Sequence, residues 1–158
     1  MQVTILDDYQ DCVRHLACFD KLAQHQVTIL NRHIDDPQEL ASLLRHTQAL
    51  VPIRERTRLD RELLRQLPAL ELIAQTGMAG RHLDLEACHE RGIRVTQSQG
   101  SGSATAELTL LLILAALRHL DAELSHMQQG LWQRTLGRQL RGRRLGILGL
   151  GRIGVQVA

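Results

Sequence analysis

The chain has 158 residues, 44% of them apolar and 23% charged, with a formal charge of +2. Taken alone, that length fits one ordinary domain of about 100–200 residues, and the composition argues against a disordered chain. Aromatics make up 2% (Tyr9, Phe19, Trp132), which disfavours a base-stacking nucleic-acid platform, and the single lysine, Lys21, has no glycine-rich neighbourhood to make it a phosphate-loop or Schiff-base residue.

Charge is unevenly placed. Thirteen basic and seventeen acidic residues give positions 1–123 a charge of −4, whereas positions 124–158 carry six arginines, no carboxylate and a charge of +6. These arginines are interleaved with an apolar run and form no continuous basic arm, so a nucleic-acid partner is not expected. Cys12, Cys18 and Cys88 are odd in number and lack metal-ligand spacing. With no basic, apolar leader ahead of MQVTILDD, they read as reduced thiols of a cytoplasmic protein. The longest apolar stretch, Leu110 to Leu117, is eight residues, well short of the ~20 that span a bilayer.

In chain order, the sequence predicts strands at Val3 to Leu6, Val27 to Leu30, Ala49 to Ile53, Leu70 to Ala74 and Ile93 to Thr96. Amphipathic stretches separate them, the pattern of βαβ units and a parallel sheet. Val13, Leu16, Ala17 and Phe19 predict a helix within Asp11 to Gln24. Asp36-Pro37-Gln38-Glu39 predicts a capped start, with Glu39 returning a hydrogen bond to the cap. Asp60 and Asp84 open two further short helices, the second ending at Gly92.

These units predict a flavodoxin-like layered domain over residues 1–98. The small, polar stretch QSQGSGS at 97–103 marks the passage to a second part, residues 99–158. There Ser103 is expected to cap a helix from Ala104 to His119 whose leucines leave almost no polar face. Such a helix has to be buried, within a core or between two domains or subunits. Gly130 to Arg144 reads as an exposed connection with Trp132 as its anchor.

The last segment, RLGILGLGRIGVQVA, runs from an expected strand, Leu145 to Leu148, into Gly149-x-Gly151-x-x-Gly154 and a helical start. That context fits a dinucleotide fingerprint. Gly149 permits the tight turn, Gly151 lets the backbone approach a pyrophosphate, and Gly154 lets the helix pack closely. The amides of Arg152 and Ile153 would face the phosphates. The acidic residue that holds the ribose is expected about 20 residues further on, so this half-domain reads as incomplete.

With the glycine motif, IRERT at Ile53 to Thr57 and the stretch LELIAQTGMAGRHLDLEACHERGIRVTQSQGSGSATAELTLLLILAALRHL in order, the chain resembles the D-isomer-specific 2-hydroxyacid dehydrogenases along essentially its whole length. The resemblance implies an α/β protein: a flavodoxin-like parallel-sheet substrate domain followed by the truncated start of a Rossmann NAD(P)-binding domain. It implies NAD or NADP as cofactor and a small 2-hydroxy or 2-oxo acid as substrate. Thr76, Gly77, Met78 and Ala79 look like the loop whose amides hold the substrate carboxylate. Arg54 sits where some members present an arginine to an anionic substrate, or it is a solvated charge beside Glu55 and Arg56. Thr109 looks like a contact near the nicotinamide, and its helix resembles one that packs in the family's dimers.

Two departures matter. Where the family often reads Gly-x-Gly-x-Asp-Asn, this chain has Gly77-Met78-Ala79-Gly80-Arg81-His82, so His82-Leu83-Asp84 reads as a structural helix start. The family's catalytic Arg, Glu and His would lie beyond the glycine motif, and the chain's eight histidines read as surface or helix-face residues. No catalytic residue and no metal ligand is therefore assigned, and the 158 residues alone are expected to be inactive. The alternative is a non-catalytic module that dimerises through the helix Ala104 to His119.

Overall fold

All five apolar runs become strands: β1 (Gln2–Leu6), β2 (Gln26–Ile29), β3 (Ala49–Pro52), β4 (Leu72–Gln75) and β5 (Arg94–Gln97). They form one parallel sheet in the order β2-β1-β3-β4-β5. The computed structural model describes Met1–Ala158, and the chain divides into two units, Met1–Gly100 and Ser101–Ala158.

In the first unit the caps form as the sequence predicts. Asp36 accepts from the Gln38 amide at 2.9 Å ahead of α1 (Pro37–Leu44), Asp60 from Leu63 at 3.0 Å ahead of α2 (Arg61–Arg65), and Asp84 from Ala87 at 2.8 Å ahead of α3 (Leu85–Glu90). Gly92 ends α3 with φ +69°. Glu39 does not close the capping box; it pairs instead with Arg32 at 2.6 Å. The helices lay Leu40, Leu44, Leu63, Leu64 and Ala87 onto Leu6, Leu50 and Ile73 of the sheet, a core made of aliphatic side chains.

The helix expected in Asp11 to Gln24 is absent. Two 3₁₀ turns, Val13–His15 and Phe19–Leu22, stand in its place, and neither buries a residue. Asp8 captures the amides of Cys12 and Val13, at 3.1 and 2.9 Å, and Asp11 is left-handed with φ +51°. With its first amides turned to a side chain and none of Val13, Leu16, Ala17 and Phe19 buried, the segment lacks the packing that sustains most protein helices. Cys12 and Cys18 are exposed and Cys88 is buried, all three as free thiols.

The second unit holds α4 (Ser103–Leu117), α5 (Leu120–Gln128) and α6 (Gly154–Val157). Gly102, in a left-handed conformation, occupies the cap position expected for Ser103. The Thr135 amide and hydroxyl both bind Glu123, at 2.7 and 2.6 Å, tying the following loop to α5. Of α4 only Ala106 is buried, while Leu108, Leu111 and Leu112 are more than half exposed, so the burial expected of this helix is not met inside the unit. Trp132 anchors nothing and is 70% exposed. Leu145 to Leu148 forms no strand, because the unit holds no other strand to pair with it. No single helix is long and apolar enough to cross a membrane.

Candidate functional site

In a parallel sheet of this order, β1 leads to β2 on one side and its other neighbour is β3, so the connections diverge beyond the carboxyl ends of β1 and β3. That is where open α/β sheets bind ligands. The residues following β1 and β3 have left-handed backbones: Asp7 with φ +60° and Arg54 with φ +61°. A non-glycine residue rarely adopts this conformation, and it persists only when its surroundings hold it there.

Asp7 is held from three sides. Its buried carboxylate accepts from the Thr57 hydroxyl at 2.5 Å and from His33 Nδ1 at 2.9 Å, and its carbonyl accepts from Arg56 Nη1 at 2.6 Å. The same Arg56 guanidinium stacks on the Tyr9 ring at 4.5 Å. Burial raises the affinity of the neighbouring Asp8 carboxyl for its proton, but hydrogen bonds from Val13 and Cys12 and the charge of Arg14 outweigh it and hold the group below the usual carboxylate range. The Asp8 hydrogen bond in turn pushes the Cys12 thiol up.

Arg54 turns toward the loop after β4. Its amide donates to Thr76 Oγ1 at 2.9 Å, and its carbonyl accepts from Gln75 Nε2 at 2.7 Å. Its guanidinium lies across Gly77, where a Cβ would come within 3.4 Å of Nη1. Gly77 has φ +98°, so glycine is favoured there for its conformation.

Among the loop's four amides, three have protein acceptors. Thr76 donates to the Pro52 carbonyl at 3.2 Å, Gly77 to Ser98 Oγ at 2.8 Å and Ala79 to Gln97 Oε1 at 2.9 Å. Met78 alone donates to nothing in the protein, and its side chain is 65% exposed. The end of β5 thus engages two of the four amides of this loop, and Met78 keeps the one without a protein acceptor. Sequence reasoning missed Gln75, Ser98, Gln97, Asp7 and Thr57, since a lone polar residue at a strand end carries no periodic signal.

In the second unit, the glycine turn has the geometry its spacing predicts. Gly149 has φ +96°, and a Cβ on Gly154 would lie 2.1 Å from the Gly149 carbonyl oxygen, so only glycine closes this turn. Gly151 has open space in place of a side chain, and the amides of Arg152 and Ile153 donate to no backbone carbonyl. An open cavity of about 470 Å³ is lined by Gly149, Gly154, Ile147, Ile113 and Thr109, bringing Thr109 to the motif. The Thr109 hydroxyl itself donates to the Thr105 carbonyl at 2.8 Å. A turn that a Cβ would fill, next to unengaged amides, suits the pyrophosphate of a dinucleotide.

Residues 3–149 match the family described as D-isomer specific 2-hydroxyacid dehydrogenase, catalytic domain, and the chain belongs to that family. It is 35% identical over 123 residues to D-3-phosphoglycerate dehydrogenase of Methanocaldococcus jannaschii, covering 76% of this chain and 23% of that one. It is 37% identical over 145 residues to glyoxylate reductase of Aeropyrum pernix, covering 85% and 43%. The crystal structure of a phosphoglycerate oxidoreductase from Vibrio cholerae superposes with a TM-score of 0.94 at 45% identity, over 99% of this chain and 51% of that chain. The chain thus spans less than half the length of these curated relatives and about half of that solved chain.

Proposed function

We propose that the chain carries the substrate-anion site and the first cofactor-binding turn of an NAD(P)-dependent oxidoreductase acting on the CH–OH group of a 2-hydroxy acid, or in reverse on a 2-oxo acid. One observation carries this reading: Arg54, just beyond β3 at the sheet's switch point, brings its guanidinium to Gly77, in the same loop as the Met78 amide that has no protein acceptor. A guanidinium and a free N–H together complement a carboxylate. Gly149, Gly151, Arg152, Ile153 and Gly154 would hold the cofactor pyrophosphate, and Thr109 would stand near the nicotinamide. When bound, the nicotinamide supplies the hydride acceptor or donor.

Hydride transfer also needs a base for the hydroxyl proton and a cation to polarise the oxo group. The resemblance puts both beyond the glycine motif, so the 158 residues by themselves are expected to bind but not to turn over. The check is NADH oxidation with glyoxylate or hydroxypyruvate. Turnover by the pure chain above the protein-free rate overturns the assignment of the base and cation to sequence beyond Gly154.

The exposed leucines of α4 favour a second reading, that the chain pairs with another copy through this helix. Leu108, Leu111 and Leu112 are 52, 56 and 59% exposed in one patch-forming helix, and contiguous apolar surface of this kind is uncommon on a free monomer. Light scattering after size exclusion tests it: a dimer is expected, and a monomer at high concentration overturns it.

A further inference from the structure

Resting on the reading of Arg54 as an anion-binding residue, we infer that Gln75 and His82 are positioning residues that lock the left-handed Arg54 backbone and so aim its guanidinium across Gly77. Gln75 is 2% exposed, at the end of β4. Its side-chain nitrogen donates to the Arg54 carbonyl at 2.7 Å and to the Thr76 carbonyl at 3.2 Å. Carbonyls only accept, so these bonds fix which end of the Gln75 amide faces them. Its Oε1 then points to His82 Nε2, 3.0 Å away.

An oxygen at that place requires the proton on Nε2, which sets the imidazole tautomer. His82 Nδ1 is buried without a partner, so no competing bond draws the ring elsewhere. The backbone on the far side of Arg54 is pinned by Thr76, whose hydroxyl accepts from the Arg54 amide and donates to the Pro52 carbonyl at 3.1 Å. Arg54 is thus clamped at both its amide and its carbonyl. Loss of the carbonyl clamp frees its φ to return to the ordinary negative range, which swings the side chain off Gly77. His82 acts through Gln75, and its structural place at the head of α3 does not account for this directed bond.

The test is an NMR titration of the isotope-labelled 158-residue chain with glyoxylate. In the native chain, His82 is expected as the Nε2–H tautomer, and glyoxylate is expected to shift the Met78 and Arg54 amides. Arg54→Met should weaken binding by about tenfold, and His82→Phe by about fivefold, the scale of one lost hydrogen bond. His82→Gln retains an N–H donor and should stay within about twofold of native. In an Arg54→Met background, His82→Phe should add nothing.

A His82→Phe chain that binds like native, or an undiminished His82→Phe effect without Arg54, overturns the inference while leaving the site reading intact. The Nδ1–H tautomer in the native chain does the same, and needs no variant to fold. If native chain shows no glyoxylate response, or Arg54→Met binds like native, the site reading fails and the inference with it.

Discussion

Leu64 and Leu112 carry the same side chain on helices of the two units, and their surroundings are opposite. Leu64 is fully buried between α2 and the sheet, whereas Leu112 is 59% exposed on α4. The contrast holds throughout: every buried apolar residue except Ala106 lies in Met1–Gly100. A parallel sheet needs cover on both faces, and the first unit supplies strands and helices enough to bury its own leucines. The second unit holds no strand, and several leucines of α4 stay more than half exposed. Hydrophobicity in a sequence therefore states a requirement for burial, and only the elements at hand decide whether it is met.

The largest expected effect tests that contrast directly. Leu64→Ala should destabilise the first unit by about 3 kcal/mol in urea unfolding, the usual cost of a buried leucine truncated to alanine. Leu112→Ala should change stability by less than about 0.5 kcal/mol, as at other exposed positions. A large cost at Leu112 would mean that α4 is covered in solution, as the pairing of two copies would do.

Next come two of the depressed carboxylates, one from each unit. Asp8→Ala orphans the amides of Val13 and Cys12 and should cost about 2 kcal/mol, in the range for hydrogen bonds to a charged group. Because the folded state holds the Asp8 proton affinity below its unfolded value, this contribution is present above the unfolded carboxylate pKa and is lost as pH falls through the folded one. Urea midpoints measured from neutral to acid pH should converge for native and Asp8→Ala. Glu123, held low chiefly by the Thr135 hydroxyl, follows the same sign, but Glu123→Gln should leave the first unit's transition where it is.

The smallest effect is local to the glycine turn. Gly154→Ala must displace the Gly149 carbonyl, and the amide resonances of Gly149 to Ile153 should move together. Gly151→Ala meets open space and should disturb only its neighbours. Equal disturbance by the two would show that the turn is not formed as described.

Much of the fold was legible because it rests on local rules. Three Asp caps, Gly92 and five β-rich runs each act within a few residues, and each appears close to its expected place. The misreading of Asp11 to Gln24 has a tertiary cause: its apolar spacing is helical, but Asp8 claims its first amides and no core faces it. The expected strand at Leu145 to Leu148 fails for the same class of reason, since a strand exists only with a partner. Of the candidate site, the three glycines were readable from motif spacing, whereas Arg54 and the Thr76 to Ala79 loop were pointed to only by the family resemblance. Gln75 and His82 were legible in neither way, because their importance comes from two hydrogen bonds made across the turn after β4.

By itself, the sequence determined the α/β class, the three Asp caps, the glycine turn and the family, since periodicity, side-chain chemistry and motif order are written along the chain. Only the tertiary structure decided which loop amides remain free, how Arg54 is held in a left-handed conformation, and which leucines find cover. Those outcomes depend on groups distant in sequence, such as Ser98 on Gly77 and Gln75 on Arg54, meeting at the ends of neighbouring strands.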